Sequence, residues 1–341
     1  MPIAIRSFAK INLGLKIGPP RADGFHELRT IYQTIALHDV IRVEVQPGDG
    51  IEIRCSDSRV PCDATNTCWK IAERVLTSTG KRSKVVITIE KQLPVQGGMG
   101  AASSNAVATL IALERELKTT IAPQEKLRIA AEVGSDLPLF LIGGTVLGVD
   151  HGQEVYALQD LPAMHLVVVT PPVGVSTPKA FSQWDALVAE EAREGRLTHP
   201  SAAGTIETFS QGVFTWLEKV IPLQVRPASG VPASGGDRAE TPLLDLVRTG
   251  IENDFEGVVF PEYPELREVK RVLEREGARY ASLSGSGSTL YGVFASAAEA
   301  ESAAQRMIGA GHAAVATTTL SRAEYWKAVA SSQLPVASEE R

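Results

Sequence analysis

The chain has 341 residues, 44% of them hydrophobic and 22% charged, with a formal net charge of −6. That balance supports a globular protein with a sizeable core, and it excludes a fibrous or intrinsically disordered chain. The acidic excess gives nucleic acid or an anionic membrane no broad positive field, and no apolar run reaches the roughly 20 residues that span a bilayer.

The N-terminus, MPIAIRSFAKINLGLKI, alternates like a strand and lacks the continuous apolar region of a signal peptide. A cytoplasmic location is expected. Period-two alternation predicts strands at 3–8 and 12–17, with Lys10 between Ala9 and Ile11. Lys10 is either a solvated side chain on an edge strand or an ammonium held close to a phosphoryl group or an acid. The loop RADGFHEL (21–28) gathers an Asp-Gly turn, Phe25 and His26. It is either a loop with a packed ring or a substrate loop with a stacking ring and an imidazole donor.

Further strands are expected at 40–46, 50–54 and 84–90. Between them DATNTCWKIAERVLTSTG (63–80) has helical spacing, with Asp63 as N-cap and Gly80 as stop. Cys55, Cys62 and Cys68 match no zinc spacing, and their odd number argues against a disulfide framework. They are expected to be reduced thiols.

Residues 94–106 read PVQGGMGAASSNA and lead into an apolar helix expected at 105–117. Small side chains let a backbone approach a ligand closely, and the free N–H groups of a helix's first turn favour an anion. The stretch is no Walker A loop, because G-x-x-x-x-G-K-[ST] is absent. It is a phosphate cradle or a tight structural turn. A helix at 125–134 follows. GSDLPLFLIGG (134–144) then sets Asp136 before an apolar run, as a helix cap or as an acid poised for proton transfer.

Strands are expected at 145–149 and 165–170, and a second half begins near PPVGVSTP (171–178). Helices follow at about 206–219, 242–257 and 263–276, then a strand pair at 279–283 and 289–294, and a helix at 297–309. RPASGVPASGGDRAET (226–241) has no apolar periodicity and is expected to be a flexible insertion. The tail after Lys327 is expected to be disordered. SLSGSGS (282–288), between two apolar runs, is either a hairpin turn or a second backbone-rich loop converging on the same polyphosphate. Isolated helices among antiparallel-looking strands predict an α+β fold.

Taken together, SFAKINLGL, RADGFHEL, PVQGGMGAASSNA, GSDLPLFL and LSGSGSTLYGVF stand in the order and spacing of the GHMP kinases, which the chain resembles over residues 1 to about 185 and 250 to 295. RADGFHEL and the SSNA end of the glycine-rich loop point to the branch that acts on a CDP-linked methylerythritol. Two departures stand out: Ala101 and Ala102 occupy loop positions that are commonly glycine, and Phe25 replaces a commoner tyrosine.

The resemblance implies a two-domain α+β kinase with its active site in the cleft between domains. Residues 1–160 would form the N-terminal domain, 161–325 the C-terminal domain and 328–341 a tail. It implies ATP-dependent phosphorylation of the 2-hydroxyl of the CDP-linked alcohol, with ATP and Mg²⁺ required and only small-molecule partners. Asp136 would be the general base and Lys10 its electrostatic partner. Pro94, Val95, Gln96, Gly97, Gly98, Met99, Gly100, Ala101, Ala102, Ser103 and Ser104 would wrap ATP, with Asn66 at the adenine and Ser104 on Mg²⁺. Asn12, Phe25, His26 and Phe181 would bind the acceptor, Phe25 and Phe181 flanking cytosine. Gly285, Ser286 and Gly287 would close the site beneath the phosphates. The alternatives are a GHMP kinase for another small alcohol, or a catalytically silent sensor on the same fold.

Overall fold

The computed structural model describes residues 2–195 and 252–331. The helix expected at 206–219, most of the one at 242–257, the 226–241 insertion and the end of the tail lie outside these residues.

Two sheets organise the chain. The first contains β1 (Ile3–Pro20), β2 (His26–Gln46), β3 (Gly50–Cys55), β4 (Lys84–Glu90), β5 (Thr145–Val149) and β6 (Glu154–Ala157). Its order is β3-β4-β2-β5-β6, with β1 on β2, and β3 and β4 form its parallel pair. The second sheet runs β10 (Ala314–Thr318), β7 (His165–Val169), β9 (Leu290–Phe294), β8 (Tyr280–Leu283), antiparallel throughout. This is the α+β arrangement that the interleaved pattern predicts.

Helices α1 (Thr67–Thr79), α2 (Ala101–Glu116), α3 (Pro123–Val133) and α4 (Leu137–Phe140) cover the first sheet. Helices α5 (Thr177–Glu194), α6 (Glu256–Glu262), α7 (Pro264–Arg275) and α8 (Ala297–Gly309) cover the second. The last helix, α9 (Arg322–Ala330), returns to the first core through Tyr325 and Val329. It carries regular structure three residues past Lys327, where a tail was expected to begin.

The sheets meet through alternating side chains. Leu166 and Val168 of β7 join Ala9, Ile11 and Leu13 of β1 in an inter-sheet core, while Val167 and Val169 turn to the helices. A one-residue slip would exchange Ile11 and Leu13, each worth about 1.5–3 kcal/mol in that core, for the polar Lys10 and Asn12, so the register is firmly set.

Four differences from the sequence expectation have local causes. The strands expected at 3–8 and 12–17 are one strand, irregular after Phe8, Asn12 and Ile17, so Lys10 lies inside it, and buried rather than solvated although the strand pairs with β2 alone. The 40–46 strand is the far end of a 21-residue strand that begins in RADGFHEL. Helix α1 starts at Thr67, because Asn66 and not Asp63 accepts the capping bond, from the Cys68 amide. Helix α2 begins four residues early, at Ala101. Ala101 and Ala102 are therefore helical, where alanine is the best of all residues, and they impose no left-handed strain on the loop.

Candidate active site

Lys10 is sunk in the first sheet with its side chain 4% exposed. Its ammonium donates to Asn12 Oδ1 at 2.7 Å and to the Gly98 carbonyl at 2.8 Å, and stands 3.5 Å from Asp136 Oδ2. Three protons thus meet three oxygens. Burial pulls the Lys10 pKa below its usual value, and the Asp136 carboxylate opposes that shift. Asn12 donates to Thr30 Oγ1 at 2.7 Å, and Thr30 donates in turn to the Gly14 carbonyl, so the amide's orientation is settled. Asn12 therefore holds Lys10, and its side chain is buried.

Asp136 directly precedes α4 but makes no capping hydrogen bond with its side chain, which removes the bland reading of a helix cap. Its Oδ1 accepts from the Tyr32 hydroxyl at 3.1 Å, and its side chain remains 32% exposed. A carboxylate held from two sides yet open on a third is placed to take a proton from an arriving hydroxyl. Burial, and secondarily Asp136, pushes the Tyr32 pKa well above its usual value, so Tyr32 stays a neutral donor.

The two glycine–serine loops meet beside this pair. Gly98, at φ +76°, lies so close to the second loop that a Cβ would stand 2.2 Å from the Ser284 carbonyl oxygen. Ser284 Oγ donates to the Gly98 carbonyl at 3.1 Å, and the Thr289 amide to the Gly97 carbonyl at 3.2 Å. Asn253, buried, donates to the carbonyls of Leu283 and Gly285, both at 2.8 Å, and so shapes the second loop. A Cβ on Gly285 would come 3.5 Å from Lys10 Nζ. Residues separated by almost the whole chain converge on one lysine.

A cavity of about 360 Å³ opens on the outer side of the first loop. Pro94, Val95, Gln96, Gly97, Gly98, Met99, Gly100, Ala101, Ala102 and Ser103 line it, with Asn66. Arg59, Thr65, Thr67 and Lys91 also stand on the wall, none of them in a motif of the sequence. Asn66 lines the cavity with its side chain already committed, accepting from Cys68 N at 2.8 Å and donating to the Pro61 carbonyl at 2.6 Å. Ser104 corrects an expectation. It turns inward, buried, its hydroxyl 2.8 Å from Ser7 Oγ, because it stands on the core side of α2. Ser103 is the serine on the cavity wall. The lining carries no carboxylate, and among the described residues no group of three or more His, Cys, Asp or Glu is arranged to hold a metal.

The expected cytosine site is arranged differently from a ready-made slot. Phe181 stacks on His26 at 4.9 Å and 13°, and meets Phe255 edge-on at 5.0 Å. Phe25, exposed, stacks on His151 at 5.0 Å. The face that Phe181 turns to His26 has no room for a base, so the two phenyl rings do not form an open sandwich in this conformation. His26 is held through Nε2 by Asp185 at 2.7 Å. His151 Nδ1 lies 2.9 Å from Ser135 Oγ, one residue from Asp136. His151 and Asp185 carry no sequence signal, because each lies far along the chain from the ring it contacts. Ser286 Oγ lies 2.7 Å from Thr177 Oγ1 at the start of α5, beside a second cavity of about 420 Å³ that Gly287 also lines.

Comparison with known proteins supplies independent findings. Residues 66–144 match the GHMP kinases N terminal domain, and residues 241–313 match GHMP kinases C terminal. The chain is 35% identical over 291 residues to the 4-diphosphocytidyl-2-C-methyl-D-erythritol kinase of Solibacter usitatus, covering 85% of this chain and 80% of that one. It is 34% identical to the enzyme of the same name from Heliobacterium modesticaldum, covering 88% of each. A crystal structure of 4-(cytidine 5'-diphospho)-2C-methyl-D-erythritol kinase superposes with a TM-score of 0.66 at 27% identity, covering 93% of this chain and 98% of that one. The L. major mevalonate kinase in complex with R-mevalonate superposes at 0.64 with 17% identity, covering 93% and 96%, which speaks for the fold alone.

Proposed function

We propose that this chain, which belongs to the 4-diphosphocytidyl-2-C-methyl-D-erythritol kinase family of GHMP kinases, transfers the γ-phosphoryl group of ATP to the 2-hydroxyl of 4-diphosphocytidyl-2-C-methyl-D-erythritol. The observation that carries the chemistry is the Lys10–Asp136 pair, 3.5 Å apart where the two glycine–serine loops meet. Asp136 accepts the hydroxyl proton as the oxygen bonds to phosphorus. The bond from phosphorus to the bridging oxygen breaks, and ADP leaves. Such a transfer has little covalent work for the protein, and rate comes from alignment and charge stabilisation. Lys10 stands beside Asp136 and offers positive charge to the phosphoryl oxygens, at a buried site where electrostatics is strong.

ATP fits the cavity beside residues 94–103, its phosphates at the first turn of α2, where backbone amides are free of helical partners. Mg²⁺ bound to the nucleotide would neutralise phosphate charge. The neutral oxygens on that wall, Ser103 among them, suit a metal carried in by its substrate rather than a carboxylate cage.

Phe25 and His26 take the cytosine, with Phe181 rotating off His26 to complete the stack. The Gly285–Gly287 turn faces the methylerythritol end, where Asn12, its amide spent on Lys10 and Thr30, acts through Lys10. The division near residue 160, with the cleft between halves, agrees with Lys10, Asp136 and the 94–104 loop coming from one side and the 285–287 loop from the other. Among the described residues no helix is long and apolar enough to cross a membrane. Both substrates are multiply charged, which supports the cytoplasmic location expected from the sequence.

The test is transfer from labelled ATP to a panel of sugar alcohols that includes the CDP-linked tetritol. Preferential labelling of that alcohol is expected. Labelling of another alcohol in its place would move the chain to another specificity, and none at all would favour a silent sensor.

A further inference from the structure

Asp39 lies on β2, opposite Ser7 of β1, and its side chain is completely buried. It is far from every sequence motif, yet one carboxylate there meets both stems of the 94–104 loop. On the entering side, Oδ1 accepts the amides of Gln92 and Leu93, both at 2.7 Å, and Oδ2 accepts the Lys91 ammonium at 2.8 Å. On the leaving side, Oδ2 accepts Asn105 Nδ2 at 3.0 Å, and Asn105 Oδ1 lies 2.6 Å from Ser7 Oγ. Lys91 also donates to the Leu93 carbonyl, and both Lys91 and Asn105 reach the wall of the cavity.

A glycine-rich loop has no side chains with which to hold its own shape, so its geometry is set at its ends. We propose that Asp39 is a positioning residue for ATP: it ties the two stems of the loop together and holds the Lys91 charge against the loop's base. The proposal rests on the ATP-dependent reading above. Burying a full charge without a ligand-related return is costly, whereas a packed apolar residue would close the same space at no such cost. What the carboxylate adds is a fixed distance between Leu93 and Asn105, across which the phosphates must fit. A displacement of about 1 Å at such a site costs on the order of 100-fold.

The experiment compares Asp39→Asn and Asp39→Ala with the wild type. It reads KM for both substrates, the affinity for a fluorescent ATP analogue and for adenosine, and thermal melts. Asparagine can still accept the two backbone amides but cannot neutralise Lys91; alanine does neither. The expected result is a rise in KM for ATP of about 10-fold for Asp39→Asn and about 100-fold for Asp39→Ala. Affinity for the ATP analogue should fall in step, while adenosine affinity and KM for the alcohol stay near wild type. A folded Asp39→Asn protein with unchanged ATP-analogue affinity overturns the proposal, and so does an equal loss for adenosine, which would mark a general collapse of the pocket. If both variants fail to fold, Lys91→Met, which leaves the backbone amides on Asp39, must weaken the ATP analogue; unchanged affinity there is equally fatal. Because binding is read without an acceptor, a wild type that binds the analogue but labels no CDP-linked alcohol would sink the substrate assignment and leave this proposal to its own outcome.

Discussion

The lysine–aspartate centre and the corner expected to hold cytosine are built on opposite terms. Lys10 is 4% exposed, with every ammonium proton assigned to an oxygen of the protein, and Asp136 is held by two neighbours. Phe25 is 55% exposed and rests on His151, while Phe181 lies against His26, where a base would have to enter. The first region is complete before any substrate arrives. The second must rearrange. Transition-state charge is best met by groups that need no reorganisation, whereas an aromatic slot loses little by closing around its ligand. Substitutions in the centre should therefore strike kcat, and substitutions in the corner should strike KM for the acceptor.

The largest effect should come from Asp136→Asn. An amide cannot take the hydroxyl proton, so kcat should fall by about 10² to 10⁴-fold while ATP binding persists. Lys10→Met should also lower kcat, and the double variant should lose less than the two losses combined, because the pair acts as a unit. Thermal melts alongside turnover separate chemistry from unfolding; a folded Asp136→Asn enzyme with near-normal kcat would remove Asp136 from the mechanism and erase the contrast.

The same pair sets a pH dependence. Burial lowers the Lys10 pKa from 10.5, so the folded chain holds that proton less tightly than the unfolded chain. Between the lowered value and 10.5 the unfolded state binds more protons, and this group's contribution to stability rises with pH. Activity should fall in that same window as Lys10 loses its charge. The opposed trends are read by pairing a kcat profile with melts across alkaline pH. Lys10→Met should flatten the stability trend, and a wild-type kcat that holds level up to pH 10.5 would detach Lys10 from catalysis.

The centre was far more legible in the sequence than the corner. Lys10, Gly98, Asp136 and Gly285 sit in short motifs whose composition states their chemistry: bare backbone for phosphate, a lone acid before an apolar run. Tyr32 was invisible, since a tyrosine inside an alternating strand reads as core. Asn253, Asp39, Asp185 and His151 were missed for a shared reason: each acts through a partner distant in sequence, and no local pattern encodes that pairing. Ser104 was misplaced because SSNA starts inside a helix, so one serine faces the cavity and its neighbour faces the core. The fold class followed from periodicity, while the length of β1 and β2 did not, because bulges and a glycine turn interrupt their alternation.

In the corner, Phe25→Ala should raise KM for the CDP-linked alcohol by about 5- to 150-fold, the range of one base–aromatic stack, with KM for ATP unchanged. Its exposure means the melting temperature should scarcely move. Phe181→Ala sharpens the comparison, because that ring packs against the second core beside Phe255. It should lower the melting temperature as well as raise KM. An unchanged acceptor KM in Phe25→Ala would return that ring to a purely surface role.

The smallest effect is expected at Tyr32, where the two regions come nearest in principle. Tyr32→Phe keeps the buried ring, which lies so close to Gly148 that a Cβ there would stand 2.5 Å from it. The ring cannot drift, and only the 3.1 Å bond to Asp136 is lost. A net hydrogen bond is worth about 0.5–1.5 kcal/mol, so kcat should fall by roughly 2- to 13-fold. KM for both substrates should hold. If Tyr32 served only packing, the phenylalanine would be silent in kcat. If it touched the acceptor, KM would rise with kcat little changed. A drop in kcat with both KM values held is the pattern that places Tyr32 behind Asp136 rather than beside the substrate.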